Sequence, residues 1–121
     1  MGTRIYWAAG KPGIDFTEKS GHAVKSDTQG VDIIGAATDR PVGVIDTVNT
    51  VNNELGIALP GAVTHVKVSG AVKRLGFGAL AADGTVTAAT FAAGETVICQ
   101  FLGDGVADET VEALILTPVK S

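Results

Sequence analysis

Apolar and polar residues along this chain alternate in short runs and do not recur at helical spacing. The runs Val31-Asp32-Ile33-Ile34, Pro41-Val42-Gly43-Val44-Ile45-Asp46, Thr64-His65-Val66-Lys67-Val68, Thr85-Val86-Thr87, Glu95-Thr96-Val97-Ile98-Cys99-Gln100 and Val111 to Leu116 are each bounded by Gly, Pro, Asn or Asp. β-branched segments punctuated in this way read as strands between tight turns. In the clearest of them Val66, Val68 and Val72 fall on one face and His65, Lys67 and Lys73 on the other, as the two-residue period of strand side chains requires. Two windows, Ala79 to Ala82 and Ala88 to Ala93, have helical composition, but Asp-Gly or Gly-Glu breaks each of them. Asp83-Gly84 lies between two runs and supplies the positive φ of a hairpin turn. The pattern predicts an all-β fold with little helix, a compact small β-barrel or β-sandwich-like domain. Its core is expected to hold Val66, Val68, Ile98, Val111 and Leu114.

The chain also resembles itself. Gly21 to Asp27 matches Phe77 to Asp83 at Ala23/Ala79, Val24/Leu80 and Asp27/Asp83, and each stretch then reaches a glycine, Gly30 or Gly84. The strand holding Val42 and Val44 corresponds to the one holding Thr96 and Ile98. Leu59 to Val66 corresponds to Leu102 to Val106 followed by Thr110-Val111. Two β-subdomains of similar plan follow, residues 21–70 and 76–117, with residues 46–56 a longer polar excursion in the first. Chance matching of abundant Val, Ala and Gly is the alternative. Residues 1–20 carry the chain's one tyrosine and one tryptophan and read as an extended N-terminal arm before a β domain of residues 21–121. Two readings of that arm stand side by side. One is an edge strand with Tyr6 and Trp7 tucked onto the barrel. The other is a segment that orders against a partner through Ile5, Tyr6 and Trp7, since rigid aromatic anchors dominate interface energies. The second predicts that deleting residues 1–12 abolishes binding and leaves the β-sheet circular dichroism intact.

Composition narrows the function classes. With 121 residues, 45% hydrophobic and 18% charged, the chain suits one core. Nine Lys and Arg against thirteen Asp and Glu give a net charge of -4, which disfavours a phosphate backbone as partner. No apolar run approaches the roughly 20 residues of a membrane-spanning helix. The N-terminal sequence lacks the apolar region of a secretory signal, so an intracellular, soluble product is expected. The single Cys99 excludes an internal disulfide and reads as a core thiol.

Candidate chemistry is sparse. His22 and His65 have no metal-ligand spacing and read as solvated. The acidic stretch Asp104 to Glu112 lacks the alternating ligands of a calcium loop. Gly76 to Ala81 fits G-x-G-x-x-A but opens no helix that would meet a pyrophosphate. The serines sit in no nucleophile elbow, and Lys67, Lys73 and Arg74 read as a solvated basic stretch. No catalytic constellation, cofactor or metal is expected.

The order of glycine-punctuated elements resembles the capsid cement, or head decoration, proteins of tailed bacteriophages. The residues that carry the resemblance are Ile34-Gly35-Ala36-Ala37, Val42-Gly43-Val44, Val66 to Lys73, Gly78-Ala79-Leu80 with Asp83 to Ala89, and the closing Gly105 to Ile115. It covers roughly residues 20–117. The chain departs from the pattern in the excursion at 46–56 and in Ile98-Cys99-Gln100-Phe101-Leu102, where the family carries a strand with a central glycine. The resemblance implies a non-enzymatic virion protein on the capsid exterior, made in the host cytoplasm, which binds the phage major capsid protein and bridges its subunits. It also implies a homo-oligomer, a trimer by preference, with no nucleic-acid or membrane partner. The bottom-up alternative is a non-catalytic β binding module of a virion tail or a bacterial surface assembly.

Overall fold

The computed structural model describes residues 5–120, so residues 1–4 of the expected arm and Ser121 lie outside it. The described residues form ten strands and no helix. A first antiparallel sheet holds β1 (Ile5–Ala9), β2 (Ala23–Asp27), β3 (Gly30–Ile33), β4 (Gly43–Asn49) and β5 (Glu54–Ala58), in the order β1-β5-β4-β2-β3. A second holds β6 (Val63–Lys67), β7 (Phe77–Leu80), β8 (Val86–Ala88), β9 (Thr96–Phe101) and β10 (Thr110–Lys120), in the order β6-β10-β9-β7-β8. Each sheet curls until its first strand meets its third through a parallel bridge, Gly10 with Val31 and Val68 with Val86. Lys11 N donates to Val31 O at 2.8 Å, and Ser69 N to Val86 O at 3.0 Å. The all-β expectation takes the form of two small five-stranded barrels of the same topology.

The strand registers fix which residues correspond. Ala23, Val44, Ala58 and Ile5 form one row across the first sheet, and Phe77, Gln100, Leu114 and Val63 form the same row across the second. One layer inward, Tyr6 with Ile57 and Ile45 matches Thr64 with Ala113 and Phe101. Ala23 therefore corresponds to Phe77, two residues from the Ala79 matched in the sequence. The slip has a physical cause: only Thr28 and Gln29 separate β2 from β3, whereas β7 and β8 are joined by residues 81–85. Aligning Asp27 on Asp83 thus displaces the strands, and because the shift is even it keeps inward residues inward. The third correspondence is corrected outright. Val63 to Val66 belong to β6, the counterpart of β1, so the repeats run from Ile5 to Ala58 and from Val63 to Lys120. The polar excursion at 46–56 is the β4–β5 hairpin, turned at Asn53 with φ +52°.

The barrels share a core. Phe16, Val24, Val31, Ile45, Leu55 and Ile57 fill the first. The second is filled by Val66, Val68, Val86, Cys99, Phe101 and Val111, and the outer-face residues Ala23, Val44 and Ala58 of the first sheet join this cluster. β4 is thus buried on both faces over Gly43 to Ile45 and β5 over Leu55 to Ala58, which is why these stretches read as continuous apolar runs. The seam is also hydrogen-bonded. Ala23 N donates to Gly84 O at 2.7 Å, Lys67 N to Gly21 O at 2.9 Å, and Thr64 Oγ1 to Asp46 Oδ1 at 2.6 Å. Of the expected core residues, Val66, Val68, Ile98 and Val111 are buried. Leu114 is corrected: it pairs with Gln100 on the outward face of the second sheet and is half-exposed.

The segment expected as an arm is extended over Ile5–Ala9, and it is paired. β1 runs antiparallel to β5 along its whole length, and Phe16 is buried in the first core. Lys11 pins the stretch after β1 to the β2–β3 hairpin through Asp27 at 2.9 Å and Asp32 at 3.5 Å.

Candidate functional site

Strand alternation divides the three residues singled out in the sequence. Ile5 and Trp7 share one face of β1, where both lie over Gly56; a side-chain carbon added at Gly56 would meet Ile5 Cγ2 at 3.3 Å and the Trp7 ring at 3.4 Å. Gly56 thus forms a shallow floor on which the indole rests, with 53% of Trp7 still exposed. Tyr6 points the other way, level with Ile57, and is 59% exposed. β1 thus turns its two aromatic side chains to opposite faces of the strand, and both residues border the groove at one end of the first barrel.

Tyr6 borders a groove of about 570 Å³ at one end of the first barrel. Its walls include Tyr6, Ala9, Ser26, Val31, Val42 and Leu59, and its lining is mostly apolar. Asp27 is the one acidic side chain on its rim. Its bond to Lys11 holds the Asp27 carboxyl below the usual carboxylate range and raises the Lys11 ammonium. That pair is part-exposed and committed to structure, and no nucleophile, base and acid converge in the groove. What the groove can do chemically is accept apolar surface.

A second exposed apolar surface lies on the other barrel. Phe77 and Phe91 pack edge to face with ring centroids 6.0 Å apart, and Leu75 stands beside them, with its carbonyl accepting a hydrogen bond from Gln100 Nε2 at 3.0 Å. Leu75 and Phe91 both have positive φ, +68° and +59°, a conformation that bulky residues rarely adopt. Sequence reading missed this patch because Phe91 lies in a segment separate from Leu75 and Phe77.

The remaining candidates resolve individually. His65 is exposed, as expected, but His22 is not solvated. It is half-buried beside Gly84 at the seam, its Nδ1 has no hydrogen-bond partner, and burial followed by the nearby Lys19 charge pushes its pKa down despite Asp83. The unfolded chain takes up this proton near pH ~6.5 and the folded chain only at lower pH. The contribution is therefore fully present above that range and is lost as pH falls through the folded value. Melting temperature is expected to drop between pH 7.5 and 5, and His22→Gln to flatten the drop; an unchanged slope in the variant would assign the proton elsewhere. Asp39, Asp83 and Glu95, whose carboxyls are lowered mainly by hydrogen bonds, act in a separate and more acidic window.

Cys99 is fully buried, and desolvation pushes its thiol up to about 12. It should resist iodoacetamide in the native protein and react once denatured, by mass spectrometry; rapid native alkylation would contradict its place in the core. Asp104 Oδ1 accepts from Arg74 N at 2.8 Å and Glu109 Oε1 from Val106 N at 2.9 Å, so the acidic stretch braces its own loop and ties it to the turn before β7. Among the described residues no group of three or more His, Cys, Asp or Glu side chains is placed to hold a metal ion. No protein-family model matches the chain, and no curated protein matches it in sequence.

Proposed function

We propose that this protein is a structural component of a phage virion that binds the outside of an assembled capsid and stabilises it by bridging major capsid protein subunits. The observation that carries the reading on the molecule itself is Trp7. It is a large aromatic side chain on a paired strand, braced over Gly56 and half-exposed, which is the form of a preorganised interface anchor. The sequence resemblance supplies the partner, and the acidic net charge suits a surface that must ignore packaged DNA. Trp7 forms the centre of the shell contact, with Tyr6 at its edge and Ile5 half-buried against the shared core behind it. A single small domain offers a modest interface, so trimers engaging three sites gain avidity through effective concentration.

Point substitution tests this better than truncation, because deleting residues 1–12 would remove β1 from its sheet. Trp7→Ala is expected to weaken binding to purified shells by about 30-fold, the roughly 2 kcal/mol of an interface hot spot, with unchanged circular dichroism. Co-sedimentation of wild type and variant with full heads on a density gradient is the measurement. A wild-type chain that stays at the top of the gradient would overturn the proposal in favour of a tail or surface binding module.

A further inference from the structure

The contact between the two barrels is directional. The outer face of the first sheet, Ala23, Val44 and Ala58, packs against one end of the second barrel, where Thr64 meets Asp46 and Gly84 meets Ala23. A two-fold relation would pair Tyr6 with the second barrel and put the 28–30 turn against Phe77, and neither occurs. The barrels are joined head to tail, which leaves one unused copy of each half of the contact.

Both unused halves are on the surface, and both are apolar. The register equivalences make the groove of the first barrel the counterpart of the covered end of the second: Tyr6 stands for Thr64, Ala9 for Lys67, Val31 for Val86 and Val42 for Ile98. Thr64 is 5% exposed where Tyr6 is 59% exposed, because a sheet covers the first and nothing among the described residues covers the second. The counterpart of the covering face is the row Phe77, Gln100 and Leu114. Each of these is larger than the residue it matches, Ala23, Val44 and Ala58 in turn. The seam inside the chain is close-packed, whereas the groove leaves about 570 Å³ to be filled.

Leu75 is the second, independent observation. Its counterpart Gly21 has φ +84° and lies so close to the second barrel that an added side-chain carbon would meet Lys67 N at 2.8 Å. Leu75 keeps the left-handed backbone at φ +68° but carries a large side chain that is 59% exposed. A strained residue that holds an apolar side chain in water gains nothing within one chain.

We propose that the Leu75, Phe77 and Leu114 face of one copy caps the Tyr6 groove of the next, so that chains join head to tail into a closed ring that repeats between molecules the contact made within each. The occupant of the groove is a second copy of this chain. This assembly does not depend on capsid binding; only a ring of three chains, hence six barrels, is taken from the proposed function. Trp7 borders the same groove, with its ring resting over Gly56, so its indole lies at the rim of the contact.

The test uses the purified full chain without shells. Wild type is expected to show the mass of a closed oligomer by native mass spectrometry and light scattering, and a monomer at high concentration would overturn the proposal. Leu75→Glu on the face and Ser26→Arg in the groove should each give folded monomers, with circular dichroism as the control. Mixed, they should form heterodimers and nothing larger, because each retains the half-contact the other lacks. Failure of the mixture to associate, or an oligomer indifferent to both substitutions, would overturn it. Leu75→Gly adds a readout that a purely structural residue would not give: the melting temperature of the monomer rises as strain is relieved, while self-association weakens at least tenfold. Unchanged association in that variant would also count against the proposal.

Discussion

Phe101→Ala is expected to lower the stability of the protein by about 3–5 kcal/mol and to melt both barrels in a single transition. Phe101 is 0% exposed and is the bulkiest of the fully buried side chains. It lies opposite Ala113 across the sheet, in a layer where neighbours are too small to close over its absence. The backbone bonds Phe101 N to Gly76 O at 2.8 Å and Leu75 N to Phe101 O at 2.7 Å hold the strand in place, so the cavity would be retained. With total stability commonly about 5–15 kcal/mol, such a loss is a fifth or more of what holds a small domain together. The single transition follows from the shared core, since Ala23, Val44 and Ala58 of the first sheet belong to the cluster that contains Phe101. Trp7 reports on the first barrel alone, and far-UV circular dichroism reports on both. Coincident transitions by the two probes would show one cooperative unit. A Trp7 transition left at its wild-type midpoint would instead show that the first barrel stands by itself.

Strand character was legible in the sequence because alternation is written locally. His65, Val66 and Lys67 announce a two-faced strand, and Asp83-Gly84 announces a turn, realised with Gly84 at φ +88°. Leu114 was misplaced because an outward residue in an alternating run looks like a core residue when it is apolar; the outward row of the second sheet is apolar throughout except Gln100. The duplication was visible at the level of strands but not of residues. Its two halves share a fold while trading side-chain size from one position to the next, so identity is lost at most packed positions, with Val31 and Val86 an exception. The candidate surfaces were the least legible. Ile5, Tyr6 and Trp7 could be named, but the turning of Tyr6 to the other face of β1 and the packing of half-buried Ile5 against the shared core required knowing that the segment is a strand. The Leu75, Phe77 and Phe91 patch exists only through pairing of β7 with β8 and β9. His22 looked solvated because the element that buries it, the turn at Gly84, lies far along the chain.

The same trade in size yields the second large effect. Gly78→Val should destabilise by about 3 kcal/mol, at the upper end of what overpacking costs, because an added side-chain carbon would lie 2.5 Å from Val86 Cγ1, 2.6 Å from Cys99 Sγ and 2.8 Å from Phe101 Cζ. Yet valine occupies the matching position of the first barrel, where Val24 is fully buried without conflict. The difference lies in its neighbours. The counterpart of Phe101 is Ile45, and the counterpart of Cys99, paired across the ladder, is Gly43. One barrel fills its inner layer with Val, Gly and Ile, and the other fills the same layer with Gly, Cys and Phe. Combining Gly78→Val with Phe101→Ile and Cys99→Gly should therefore cost less than the sum of the separate changes, with a coupling of about 0.5–3 kcal/mol in the stabilising direction. Urea unfolding of the single and combined variants measures it. Additive losses would mean that the two inner layers are not interchangeable and that the correspondence between the barrels ends at the backbone.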